Sequence, residues 1–144
     1  MTHDAYDLQR FLQAQEQAYA PALAELQAGR KRSHWIWYIF PQLQGLGNSA
    51  MSQRYAIGSL AEARAYLAHP LLGPRLLECV RAMLAHMGSD AEDILGGIDA
   101  VKFRSCLTLF AAARRDEAVF DAALRQFFAG QPDPRTLALL QRQC

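Results

Sequence analysis

RKRSHWIWYIFPQLQGLGNSAMSQRY, residues 30–55, is the stretch that decides the fold. Its six consecutive large apolar side chains, at residues 35–40, are too few to span a bilayer and too apolar to lie on a surface, so they predict a buried segment. A strand needs a partner, and the chain has no second strand-like run. We therefore expect a short buried helix that is capped by Ser33 and ends before Pro41.

The amino-terminal part of the chain has the spacing of an amphipathic helix. Apolar residues recur at intervals of three and four positions from Leu8 to Leu26. Pro21 predicts either a kink or a junction between two helices at that point. Gly29 predicts a left-handed end to the element.

Capping residues indicate where later helices begin. Ser59 with Glu62 forms a capping-box pattern, and Asp99 and Asp133 are suited to cap the segments that follow them. Together these patterns predict an all-α fold, a single compact multihelical domain over residues 1–144 with about seven or eight helices. After Asp99, the predicted apolar face consists of Phe103, Cys106, Leu107, Phe110 and Ala113, and the opposite face of Arg104, Thr108 and Arg115.

Length and composition favour a soluble protein of the cytoplasm. The 144 residues suffice for one hydrophobic core, and a formal net charge of +1 gives no broad field for nucleic acid or an anionic membrane. Cys79, Cys106 and Cys144 form no CxxC pair, which is typical of reduced intracellular thiols. The amino terminus lacks the features of a signal peptide, and no segment has the apolar length of a membrane helix. We expect a monomer or a weak homodimer.

Three stretches of the sequence resemble a bacterial family. GRKRSHWIWYIFPQLQGLGNSAMSQRYAI, SLAEARAYLAHPLLGPRL and DAVKFRSCLTLF are similar to the family called domain of unknown function 1810, over nearly the whole chain. The resemblance implies a mainly helical fold and supplies no reaction. The label calpastatin-like, sometimes attached to this family, implies a disordered, low-complexity inhibitor, which this sequence does not resemble. Ile36 stands where methionine is common in the family, and Ser105-Cys106 where paired serines are common.

The sequence contains no motif that identifies a cofactor or a metal. Residues 45–50, GLGNSA, have the GxGxxA spacing of dinucleotide-binding loops but lack the preceding strand and the βαβ unit that such a loop requires. Zinc-protease, calcium-loop and phosphate-loop motifs are also missing. We therefore predict neither a cofactor nor a metal ion.

Basic side chains near a glycine-rich loop predict a site for an anionic, phosphate-bearing small molecule. Arg30, Lys31 and Lys102 supply positive charge, and the loop that includes Gly45 and Gly47 offers free N–H groups. We expect these groups to converge in one cleft beside the aromatic segment. The other predicted ligand-binding residues are Trp37 and Tyr55, which stack on a ring, and Gln42, Ser49 and Ser52, which orient the ligand.

Catalysis at this site is a further hypothesis, in which the protein is a hydrolase and His34 is the acid or base. The candidate residues also have structural interpretations. A histidine at the start of a buried helix often donates to a carbonyl oxygen, and the stem of Lys102 can snorkel along an apolar face. In the alternative hypothesis the aromatic segment belongs to the core, and charged helix faces form a non-enzymatic protein-interaction module.

Overall fold

Helices make up the regular structure of residues 4–143, which are the residues that the computed structural model describes. The predicted all-α fold is confirmed, with nine helices in these residues where about seven or eight were expected. In chain order they are α1 (Gln9–Ala28), α2 (Ile36–Ile39), α3 (Ala50–Arg54), α4 (Leu60–Ala68), α5 (Leu72–Leu84), α6 (Ala91–Leu95), α7 (Gly97–Ala113), α8 (Ala118–Phe128) and α9 (Pro134–Arg142).

Helix α7 lies at the centre and packs against α4, α6, α8 and α9. Every residue from Ser105 to Phe110 is buried, so this part of the helix has no solvent-exposed face. Thr108, predicted to lie opposite the core, is buried as well. Its hydroxyl donates to the Arg104 carbonyl oxygen and accepts from the Asp133 N–H, both at 2.8 Å. A buried polar group is tolerated when it is hydrogen-bonded in this way.

Helix α1 is continuous through Pro21, so of the two predicted alternatives, a kink or a junction between two helices, the junction is excluded. Proline removes one N–H from the helix ladder, and its cost is offset because the adjoining turns bury Ala22 and Leu26. The predicted end at Gly29 is confirmed, with a left-handed φ of 78°.

The aromatic segment forms the predicted short helix, α2, in which Ile36 and Ile39 are buried and Trp37 and Tyr38 are half-buried. Trp35 and Phe40 flank it and are 1% and 0% exposed. The Phe40 ring packs against Phe103 of α7, with centroids 4.7 Å apart. Beyond α2, an isolated parallel bridge pairs Leu43 with Ile57 and secures both ends of the glycine-rich loop and α3.

The predicted caps at Ser59 and Asp133 are confirmed, since their side chains accept from the N–H groups of Glu62 and Thr136. Asp99 is not a cap, because α7 already begins at Gly97 and Asp99 lies within its first turn. Within residues 4–143, no helix combines the length and apolarity that crossing a bilayer requires.

Cys79 on α5 and Cys106 on α7 are free, buried thiols. Burial raises the pKa of Cys79 to about 12 and that of Cys106 well above its ordinary value. Neither thiol forms a disulfide within the described residues. Cys144 lies outside the described residues.

Gly73 on α5 is a packing constraint that can be tested with a matched control. A Cβ atom there would come within 2.1 Å of the Leu67 carbonyl oxygen of α4, whereas a Cβ at Gly97 would meet open space. We expect Gly73→Ala to lower the free energy of unfolding by about 3 kcal/mol or more, because the backbone must move. Gly97→Ala should be neutral or stabilising by up to about 1 kcal/mol. Urea denaturation measures both, and equal effects would contradict the contact.

Candidate functional site

The Glu25 carboxylate on α1 organises the segment that leads into α2. It accepts hydrogen bonds from the N–H groups of Arg32 and Ser33 at 2.6 and 2.9 Å, from the Ser33 hydroxyl at 2.6 Å and from Trp35 Nε1 at 2.9 Å. Burial raises the pKa of Glu25, but these hydrogen bonds outweigh it and lower the pKa to about 2. Ser33 therefore binds Glu25 and does not cap α2, contrary to the prediction.

Lys31 connects this segment to the first turn of α7. Its Nζ atom lies 3.0 Å from Asp99 Oδ2, donates to the Ser33 carbonyl oxygen at 2.6 Å and sits 5.0 Å from the centre of the Trp35 ring. The Lys31 and Asp99 side chains are 9% and 17% exposed. Asp99 thus neutralises Lys31, and this lysine is positioned as a structural cation.

A cleft of about 280 Å³ opens between the glycine-rich loop, the first turns of α7 and the start of α9, and we call it the main cleft because it contains several of the predicted site residues. Its apolar walls are Leu46, Ile98 and Val101. A ligand here would contact both an apolar surface and several polar groups. The remaining lining residues are Gln42, Gly47, Lys102, Ser105, Asp133 and Arg135.

Two cations, Lys102 and Arg135, line the main cleft. The Lys102 Nζ atom lies 5.5 Å from the centre of the Trp37 ring, and Arg135 Nη2 lies 3.5 Å from the Leu46 carbonyl oxygen. Among residues 4–143, neither side chain takes part in an ion pair. The Trp37 indole N–H is buried and has no hydrogen-bond partner in the same residues.

Asp133 fixes the start of α9 against α7. Its Oδ2 atom accepts from the N–H and hydroxyl of Thr136 at 3.0 and 2.6 Å and from the Ser105 hydroxyl at 3.2 Å. The Asp133 N–H donates to Thr108. Because these bonds join two helices, they hold Arg135 of α9 at the same cleft as Lys102 of α7.

A smaller cleft of about 140 Å³ lies beside the glycine-rich loop, and we call it the serine cleft. Gln42 and Gly47 line it as well as the main cleft, and its other polar lining residues are Gln44, Ser52 and Gln53, beside Gly45. Gly47 allows a close approach, since a Cβ there would lie 2.6 Å from Ser52 Oγ. Ser49 caps α3, because its hydroxyl oxygen accepts from the Ser52 N–H at 3.1 Å.

The structure brings together some of the predicted site residues and separates others. Gln42, Gly47 and Lys102 share the main cleft, but Arg30 and His34 are exposed and do not line it. Tyr55 is 8% exposed, and its ring packs between those of Phe11 and Tyr38, at 5.8 and 5.3 Å. Tyr55 is therefore a core residue in this fold.

Sequence reasoning missed Ser105, Asp133 and Arg135 as lining residues of the cleft. Asp133 was recognised as a helix cap, and a cap gives no sign of the helix against which it will pack. No pattern in the chain connects Arg135 with Lys102. Within residues 4–143, no group of three or more His, Cys, Asp or Glu side chains is arranged to hold a metal ion.

Comparison with known proteins identifies relatives without a described function. The family described as "Protein of unknown function (DUF1810)" matches residues 5–140. The crystal structure of the conserved hypothetical protein Rv1873 from Mycobacterium tuberculosis is similar, with 48% sequence identity and a TM-score of 0.94. The match covers 96% of this chain and 99% of that one. Among curated proteins, no match is found.

The Glu25 network predicts a pH-dependent contribution to stability. The folded-state pKa of about 2 is below the ordinary value of 4.5, so the contribution is complete above about pH 4.5 and is lost as pH falls towards 2. Glu25→Gln should therefore lower the free energy of unfolding at neutral pH, and its difference from the parent should shrink under acid. Urea denaturation across this range checks it, with the exposed Glu16→Gln as control. A pH-independent difference would contradict the prediction.

The two tryptophans should respond differently to replacement by phenylalanine. Trp35→Phe removes a donor to the charged Glu25 carboxylate, a hydrogen bond of the kind worth about 1.5–3 kcal/mol. Trp37→Phe removes an N–H that has no partner among the described residues. We expect Trp35→Phe to be the more destabilising in thermal or urea unfolding, and the reverse order would show that the Trp35–Glu25 bond is unimportant.

Proposed function

We propose that this chain, which belongs to the DUF1810 family of proteins of unknown function, binds a small anionic, phosphate-bearing molecule in the main cleft. The observation that carries the proposal is the pair of cations, Lys102 and Arg135, that line one cleft without an ion-pair partner among residues 4–143. Lys31, by contrast, is neutralised by Asp99. Lys102 and Arg135 are therefore the charges left for a ligand.

Electrostatics favours an anion at this position. Two like charges at one cleft repel each other, and a bound anion relieves the repulsion. The Arg135 guanidinium is suited to bidentate contact with phosphate or carboxylate oxygens, and the Lys102 ammonium acts as a point charge. Asp133 lines the same cleft, where its Oδ2 atom accepts from Thr136 and Ser105, so the three charged side chains of the lining sum to +1.

The shape and lining of the main cleft favour a small ligand with an apolar part. Its volume of about 280 Å³ is near the lower end of ligand sites, which run from about 300 to 1,000 Å³. Leu46, Ile98 and Val101 offer apolar contact, and the Gln42 amide offers one donor and one acceptor group. A phosphate ester of a small organic molecule matches this combination.

The proposal does not include hydrolysis. His34, the predicted acid or base, is exposed and outside the lining of the main cleft, so the geometry gives it no route to a ligand bound there. We retain the cytoplasm as the location, because Cys79 and Cys106 are free thiols.

A protein-interaction module is the second candidate, and the exposed rim of the main cleft favours it. Ile98 and Val101, one helical turn apart on α7, are 77% and 59% exposed. Exposed large apolar side chains that lie together commonly mark contact surfaces. The same two residues also suit the apolar part of a small ligand, so binding measurements decide between the candidates.

Calorimetry with inorganic phosphate, sugar phosphates and nucleotides tests the proposal. We expect at least one phosphate ester to bind, and Lys102→Gln or Arg135→Gln to weaken its binding about 10- to 100-fold, the range for losing a charged hydrogen bond. Arg125→Gln, an exposed α8 variant with the same change in charge, should bind as the parent does. If no anion binds, or all three variants bind equally, the proposal fails and the interaction module becomes the better hypothesis.

A further inference from the structure

A third cleft lies along α9, on the carboxyl side of Arg135, and we call it the α9 cleft. It has a volume of about 230 Å³ and is lined by Gly45, Arg135, Ala138, Leu139 and Arg142. Arg135 therefore lines both the main cleft and the α9 cleft. The glycine-rich loop contributes to both as well, through Gly47 to the first and Gly45 to the second.

The two arginines of the α9 cleft lie on one face of their helix. Arg135 and Arg142 are seven positions apart, which is close to two full turns, so their backbones are about 10 Å apart along the axis. Both side chains are exposed. Among residues 4–143, Arg142, like Arg135, is in no ion pair.

The surface between these two arginines is apolar, and the backbone of the glycine-rich loop lies close to it. Leu139 lies on α9 between them and is half-buried. Gly45, with φ of 102°, brings the loop against it, since a Cβ at Gly45 would lie 3.4 Å from Leu139 Cδ1. A side chain at Gly45 would be strained and would press on Leu139.

We infer that the ligand carries two separate anionic groups, one held by Lys102 and Arg135 in the main cleft and the other by Arg135 and Arg142 in the α9 cleft. This inference rests on the proposed function and adds the class of ligand, a bisphosphorylated or similarly dianionic small molecule. A molecule with a single phosphate leaves Arg142 uncompensated. A second anionic group at the right distance from the first compensates the charge of Arg142, and its binding is then an intramolecular event.

A series of straight-chain alkane-α,ω-bisphosphonates tests the spacing, with alkyl monophosphonates of the same chain length as controls. Calorimetry should show that affinity rises with chain length to a maximum and then falls, because a linker binds best when it matches the span. At the maximum, the bisphosphonate should bind about 10-fold or more tightly than its monophosphonate. Arg142→Gln should remove this advantage, so that in this variant the bisphosphonate binds no more tightly than its monophosphonate.

The outcomes separate this inference from the proposed function. If monophosphonates bind through Lys102 and Arg135 but bisphosphonates gain nothing, or if Arg142→Gln leaves the gain intact, the dianionic ligand is excluded and the proposed function stands. If neither series binds, both fail. In the Arg125→Gln variant, the bisphosphonate should keep its full advantage in affinity over the monophosphonate. If that advantage were lost in this variant, it would reflect the overall charge of the protein and not this site.

Discussion

The hydrogen bonds accepted by the Glu25 carboxylate are the constraint on which the site depends. They fix the segment between α1 and α2 against α1, and one of the donors, Trp35, lies buried in the core. The same turn places Lys31 against Asp99, and so ties the segment to the first turn of α7. Lys102 lies less than one turn further along that helix, so an interaction on α1 sets the wall of a cleft built largely by α7 and α9.

Charge compensation distinguishes the structural cations from those available to a ligand. Arg10 is satisfied by Glu62 and by the carbonyl oxygens of Arg54 and Ala56. Lys31 is satisfied by Asp99. The Lys102 ammonium lies over the Trp37 ring and not beside a carboxylate of the described residues. Cation–π contacts of this kind stabilise the positive charge and leave N–H groups of the ammonium free to bind a ligand.

Local sequence rules predicted much of the fold and less of the site. Caps at Ser59 and Asp133 and the glycine end of α1 follow from short-range chemistry, and most of the run of large apolar residues lies in the core as expected. The cleft depends on how α7 and α9 meet, which no local pattern encodes. Proximity along the chain was misleading for His34, because Glu25 binds its neighbours Ser33 and Trp35 while His34 itself stays exposed and outside the cleft.

The buried thiols on α5 and α7 allow the opening of the core to be measured directly. The reactive form of cysteine is the thiolate, and at Cys79 and Cys106 both burial and a raised pKa suppress it. A thiol-modifying reagent can react at these positions when the core opens and exposes the sulfur atoms. Under native conditions, the rate of modification at each cysteine therefore measures how often its helix separates from its neighbours, without any engineered label.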